Sequence, residues 1–576
     1  MTYPVLRPRS CPITFTGATS RDMRRAAARI ASLALFSLPL AACWDGIGGA
    51  GESGSTTGTQ AGTQAGTQAG TSMSASSPST TQGEVDSTSL DDGPPPDLPD
   101  PPEPVSTVGE LLVPFDVNLQ DQAGPGSWNT NYGKTPEIIA VPHGSALYVW
   151  AQNYDTDDAQ RAVLLRLEPS LDDYVVTAYN EPPFLDRIMG LAHDGGDRIY
   201  VASGIIEDLH QPLTVDYPAP GEYRSNIVNV VDTDWDGNVA WTADLDLARQ
   251  AFDEPELLIN PMVAASSRMA YGAGTIALAH GINTDPDGNG VRHQKAITTH
   301  VSASDGSVTR SASIWVSHSF DQRMLFDGQR FIEMHHGDAY PRHVAFAGIE
   351  AGGGGGTGEY PLFHIKGPVG DNVTRTQVGD VALVEGDPEY GYLAVFISER
   401  SGGTTNIIPQ QDRIAGTREV GMVRVLRDFE IDGGNELAHL DPSLPHTLDV
   451  QSSGQARTNR LRWLTDYDSA PGGPASLVAE RAKLVAIGDD QYIVMWEQHE
   501  LDKSGYVFAG SWGVTIDAHG DAVAGPAQVS DSRLPRGDDA FALEDGAAFL
   551  TGDSKARALH LHLIDDQLQE RIVVIE

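Results

Sequence analysis

From about residue 107 onward the chain is patterned as short apolar runs, rich in Val, Ile, Tyr and Phe, separated by Gly, Asp and Pro. Runs of this length between turn formers predict β-strands, and few segments show the 3.6-residue spacing of an amphipathic helix. One pattern recurs seven times: a short strand, a glycine-containing turn and a second strand. The second strands align without gaps as LYVWAQN from Leu147, IYVASGI from Ile199, IALAHGI from Ile276, FIEMHHG from Phe331, LAVFISE from Leu393, IVMWEQH from Ile493 and AFLTGDS from Ala548. Gly144, Gly196, Gly274, Gly328, Gly386, Gly488 and Gly546 stand in the preceding turns. Third strands follow several of them, among them AVLLRLEP, NIVNVVD, VGMVRVL, WGVTIDA and ALHLHLI.

Sheets of about four strands at a roughly regular period predict an all-β chain, a β-propeller of about seven four-stranded blades. The repeat starts are spaced by 52, 77, 55, 62, 100 and 55 residues. The longest interval has room for an eighth blade or for an insertion near residues 430–475. Six blades, eight blades and paired β-sandwiches remain open alternatives. The C-terminal RIVVIE is expected to pair into the last blade, and a strand near Leu111 to Val117 to close the ring with it.

The first 106 residues follow different rules. Arg24, Arg25 and Arg29 precede an apolar stretch of 11 residues, Ile30 to Leu40, well short of the ~20 needed to cross a bilayer as a helix. This is the layout of a secretory signal, and Met23 is read as its working start. Residues 45–106 are of low complexity: GTQAGTQAGTQAGTS from Gly58 to Ser72, then DDGPPPDLPDPPEP from Asp91 to Pro104. Such a composition buries too little apolar surface to fold and predicts a tether, about 45 Å end to end as a random coil. The domain organisation is thus a signal over 1–42, a tether over 43–106 and a propeller over 107–576.

Leu40-Ala41-Ala42-Cys43, at the end of the signal, resembles the lipobox of bacterial lipoproteins. That resemblance implies cleavage by signal peptidase II before Cys43, lipidation of its thiol and attachment of the mature chain to a membrane of the cell envelope. Trp44 rather than aspartate follows the cysteine, which in that family favours outer-membrane delivery. The other cysteine, Cys11, lies before the signal's apolar core, so the mature domain has no thiol and must be held by its own core.

The formal charge of −41 argues against nucleic acid as a partner, since phosphate binding requires a basic surface. The expected partners are the membrane, through the lipid, and an envelope protein or glycan.

Candidate chemistry gathers where the aligned second strands turn polar: His280, His335, His336, Glu399, Arg400, Glu497 and His499, with Asp338 and Arg342 just beyond the fourth of them. If these ends converge, imidazole beside carboxylate suits ligand binding, acid–base work or a transition metal. His335 and His336, being adjacent in a strand, point to opposite faces. Two loops resemble calcium-binding aspartate loops: Asp232, Asp234 and Asp236 in DTDWDG, and Asn283, Asp285 and Asp287 in NTDPDG. Neither carries a glutamate at the twelfth position. Asp/Gly hairpin turns also form without an ion. No cofactor other than calcium is indicated. No nucleophile elbow, zinc-protease helix or cysteine cluster is present. A binding domain is therefore expected ahead of an enzyme acting on an extracellular polysaccharide or other polymer, and a structural part of an envelope assembly is a further alternative.

Overall fold

The structure is a computed structural model that describes most of residues 138–575; the chain up to residue 137 lies outside the described residues, as do the longer inter-strand loops, 205–227, 284–293, 364–375 and 401–416 among them. The signal, the tether, Cys43 and the segment Leu111 to Val117 are therefore not described.

Among the described residues, seven antiparallel sheets, each with a four-stranded core, follow one another along the chain, the third widened by the short strands Leu258–Ile259 and Val316–Ser317. They are blade 1 (138–180), blade 2 (187–244), blade 3 (268–311), blade 4 (322–363), blade 5 (377–463), blade 6 (477–530) and blade 7 (541–575). Within each, the strands hydrogen-bond in chain order. Their first strands lie against one another around the ring, and that of blade 7 (Phe541–Leu543) meets that of blade 1 (Ile138–His143). The fold is a seven-bladed β-propeller with first strands lining the axis.

All seven aligned segments are second strands, one per blade. They are apolar on both faces because each blade is packed between two others. In blade 5 every side chain from Tyr392 to Ile397 is buried. Val395 and Ile397 pack with Val494 and Trp496 of blade 6, while Ala394 and Phe396 pack with Met334 and Phe346 of blade 4. Gly274 and Gly328 supply the positive φ of the first turns in blades 3 and 4.

Among the described residues the 100-residue interval holds no eighth blade. It carries a hairpin, Leu448–Ser452 with Gln455–Asn459, and then returns as the fourth strand of blade 5, Arg462–Trp463. The next residues seal the gap to blade 6. Glu419 of blade 5 accepts hydrogen bonds from the Thr465 hydroxyl and, at 2.7 Å, from the Tyr467 amide. Tyr467 Oη donates to Gln498 Oε1 of blade 6 (3.0 Å) and accepts from Trp496 Nε1 (2.7 Å).

RIVVIE forms the fourth strand of blade 7, Glu570–Ile575. Blades 1 and 7 are each complete from their own consecutive strands. The seam between them is held by Leu147, Val149 and Val163 packing on Leu550, Leu559 and Val573. Tyr174 Oη adds a hydrogen bond to Glu544 (3.3 Å). Among the described residues, no helix is long and apolar enough to cross a membrane.

Candidate functional site

Because adjacent strands are antiparallel, first strands begin and second strands end on the same side of the ring, termed the upper face. Of the predicted candidates, His280, His335, Glu497 and His499 lie there, but they do not meet. Leu278 packs toward blade 2, and His280, two residues on, shares its face. His280 Nε2 is 2.9 Å from Thr299 Oγ1 within its own blade. Phe331 packs toward blade 3. Glu333 and His335 share that face, with Glu333 accepting from Thr298 of blade 3 (2.6 Å) and His335 Nε2 lying 3.0 Å from Glu359. His336 is buried on the opposite face, as expected from its neighbour. Glu497 and His499 face blade 7 and are paired at 2.9 Å. His280, His335 and the Glu497–His499 pair thus occupy three different seams between blades. The pocket that an enzyme built on these four groups requires is not formed by them.

The remaining candidates divide between the described and undescribed residues. Asp338, Arg342 and Arg400 lie outside the described residues, as do Asp285 and Asp287. Glu399 and Asn283 are described in backbone only, as strand ends. In the first aspartate loop, Asp232 accepts from Arg198 Nε (2.6 Å). Asp234 accepts from the amides of Asp236 (3.0 Å) and Asn238 (2.8 Å) and from Asn238 Nδ2 (2.9 Å). These oxygens serve a hairpin turn, and no group of three or more His, Cys, Asp or Glu among the described residues is placed to hold a metal.

Burial is the dominant influence on His280 and pushes its pKa down to about 4, the Gly281 carbonyl opposing. The native state therefore keeps this imidazole neutral. Its contribution to stability is full above the ordinary histidine pKa of about 6.5 and is lost as pH falls from there toward 4, by up to roughly 3 kcal/mol. We expect His280→Gln to lose less stability than the wild type between pH 7 and pH 4.5 in urea titrations. Equal losses in the two proteins would show that His280 does not take up its proton on unfolding.

A different set of side chains does converge. Four blades, 3 to 6, and the loop before blade 7 contribute charged groups at the upper end of the axis, mostly from first strands. Arg268 of blade 3 donates to Asp539 (Nη2 at 3.0 Å, with Nε 2.9 Å from the second oxygen). Arg323 of blade 4 reaches the same carboxylate at 3.3 Å and pairs with Asp321 at 2.5 Å. Asp380 of blade 5 and Lys483 of blade 6 complete the group electrostatically. Lys483 Nζ donates to the Asp538 carbonyl (2.5 Å), and Asp538 Oδ1 accepts from the Ile138 amide of blade 1 (3.1 Å).

Two β-bulges aim these side chains. The register shifts between Val378 and Asp380 in blade 5, and between Glu480 and Lys483 in blade 6. Only glycine fits the first, since a Cβ on Gly379 would stand 2.3 Å from the Val395 carbonyl oxygen. At the second, Arg481 is held at φ 57 and donates to the Leu534 carbonyl (2.8 Å). Bulges and left-handed non-glycine residues commonly mark functional sites, where they re-aim a side chain.

The cluster is tightly coupled. Burial, then the neighbouring Asp539 charge, raises the pKa of Asp380. Burial, then Arg323, lowers that of Lys483. Burial works against ionisation of Asp539 too, but Arg268, Arg323 and Lys483 outweigh it and hold the pKa low. Arg268, Arg323, Asp380, Asp538 and Lys483 are buried, whereas the Asp539 side chain is 41% exposed. The cluster therefore presents to solvent an ionised carboxylate backed by cations.

Beside this cluster lies a second one. Glu497 is bound by Arg481 (3.0 Å), Arg533 (2.7 Å) and His499 (2.9 Å). Arg418 pairs with Glu480, which also accepts from Gln377 (2.6 Å).

The second cluster contains the expected Glu497 and His499, whereas the gathering of charges on the axis is not something the polar strand ends predict. One signal for it was present: Arg268 stands eight residues before Ile276, and Arg323 eight before Phe331. Equivalent charges inside otherwise apolar first strands of adjacent repeats mark positions facing a common axis.

The fold and site define a propeller with a charged axial mouth. No protein-family model and no curated protein matches the chain. Similar solved structures include a sialidase from Trypanosoma rangeli (9% identity, TM-score 0.35, covering 66% of this chain and 54% of that one). This chain thus spans about half of the sialidase's length. Others are the β-propeller domain of the trilobed protease from Pyrococcus furiosus (7%, TM-score 0.34, 74% and 93%) and an endo-arabinase from Bacteroides thetaiotaomicron (11%, TM-score 0.25, 55% and 95%). The likeness is one of fold alone, and no residue role is taken from it.

Proposed function

We propose that this is a lipid-anchored protein of the bacterial cell envelope, delivered to the outer membrane, whose propeller binds a protein or glycan ligand at the upper mouth of its axis. The binding reading is carried by one observation: charged side chains from blades 3 to 6 gather around a single solvent-reachable carboxylate, Asp539, which the loop before blade 7 supplies. Burying so many charges is a poor way to stabilise a core. A rigid, pre-organised polar cluster at an opening is what a ligand site requires. The enzyme reading requires His280, His335, Glu497 and His499 to converge, and they are dispersed among three seams. The anchor reading rests on Leu40 to Cys43 and on the tether that follows.

Two variants of the full chain test the two halves. In cells fed an alkyne-tagged fatty acid, the wild type is expected to take up label and Cys43→Ser to take up none; equal labelling would overturn the anchor. On arrays of envelope glycans and proteins, Asp539→Ala is expected to lose most of the wild-type signal. Retention of the full signal would overturn the axial site.

A further inference from the structure

Resting on that axial site, we infer that its ligand is an uncharged, hydroxyl-rich molecule, the end of a neutral glycan chain, which donates its hydroxyl hydrogens to Asp539. Three lines of reasoning from the geometry converge on this class.

The first is charge. Among the described residues, Arg268, Arg323 and Lys483 face Asp321, Asp380 and Asp539, three cations against three carboxylates. A fourth carboxylate, Asp538, is buried and engaged with the Ile138 amide of blade 1. The site has little net charge with which to attract an ion.

The second is access. Each cation is buried and already bonded: Arg268 to Asp539 and the Ser267 carbonyl, Arg323 to Asp321 and the Gln322 carbonyl, Lys483 to the Asp538 carbonyl. An anionic ligand would have to displace Asp539 from two guanidiniums, and would approach a chain of net charge −41. The exposed group is the Asp539 carboxylate. When ionised it can only accept, with about four lone-pair sites, and the two arginines do not fill them.

The third concerns the donor. An ammonium group meeting Asp539 would stand beside Arg268 and Arg323 on the same carboxylate, and like charges in a partly desolvated site are costly. Hydroxyl donors carry no such penalty. A sugar presents several at fixed spacing, which suits a carboxylate held rigid from both sides.

The test is calorimetric titration of the full chain in detergent with three probes: neutral hexose oligosaccharides, oligogalacturonate and glucosamine oligomers. The neutral probe is expected to bind, with an affinity nearly independent of salt and at least ten-fold weaker in Asp539→Asn, measured at a temperature where that variant is still folded by circular dichroism. Asp539→Glu, which keeps the charge and shifts its position, is expected to weaken binding as well, and serves if the asparagine variant unfolds. Binding confined to the acidic or the amino sugar would overturn the ligand class. So would a protein ligand whose binding is lost in Asp539→Asn while no sugar binds, although the axial site would then stand. Neutral-sugar binding unaffected in both variants would place the ligand elsewhere and overturn the axial site itself.

Discussion

Replacing Glu497 by alanine is expected to cost the fold about 3–5 kcal/mol, because the change strands buried cations. The Glu497 side chain has no solvent exposure and is shared by Arg481, Arg533 and His499. Burial works to raise its pKa, and Arg481, His499 and Arg533 overcome it, holding the carboxylate ionised far below the usual range. Alanine removes a negative charge on which two nearly buried guanidiniums converge. The sign with pH follows from the lowered pKa. The contribution is full above the ordinary carboxylate value of about 4.3 and fades only as pH falls below it. Urea unfolding at pH 7 should therefore show a large drop in midpoint for Glu497→Ala. Glu500→Ala, at an exposed position on the same strand, should stay within about 0.5 kcal/mol of wild type. A loss for Glu497→Ala below about 1 kcal/mol would mean that the cations find other partners, and the seam would have to be far more plastic than its geometry indicates.

Phe396→Ala is expected to have a comparable effect, about 3–5 kcal/mol, by a different route. The ring is fully buried between blades 4 and 5, 4.8 Å from the Phe363 ring and 6.3 Å from Trp463. Opposite it stands Gly421, where a Cβ would lie 2.7 Å from the tip of the Phe396 ring. The space left by the missing phenyl therefore has no side chain at Gly421 to collapse into it. A double-variant cycle makes this specific. Gly421→Ala alone should destabilise by crowding the ring, whereas in the Phe396→Ala background the same methyl should recover part of the loss. Additive losses would show that the two positions do not share this space.

The seven second strands were legible because a blade packed on both sides must be apolar on both faces, and an uninterrupted run such as LAVFI at 393–397 satisfies that requirement directly. The turn glycines reinforced it. The site was not legible in the same way. Polar residues at second-strand ends suggested convergence, but second strands stand one layer away from the axis, and alternation sends His280, His335 and Glu497 into different seams. The residues that do converge come from first strands and one loop. Arg268 and Asp539, in direct contact, are 271 positions apart, and only closure of the ring brings them together. The bulges that turn Asp380 and Lys483 add an extra residue to each first strand, which breaks the period that a search for alternating polarity depends on.

The short loop before blade 7 acts as a keystone. Asp538 ties the end of the chain's ring to its beginning through the Ile138 amide, while the adjacent Asp539 sits in the grip of Arg268 and Arg323. Among the described residues blades 1 and 7 share no strand, and one of the contacts that join them is a single peptide unit away from the exposed carboxylate. Whatever loosens that joint also shifts the carboxylate, and a ligand that steadies the carboxylate braces the joint. Under the proposed function, occupancy of the mouth and integrity of the ring would thus be coupled through two consecutive aspartates.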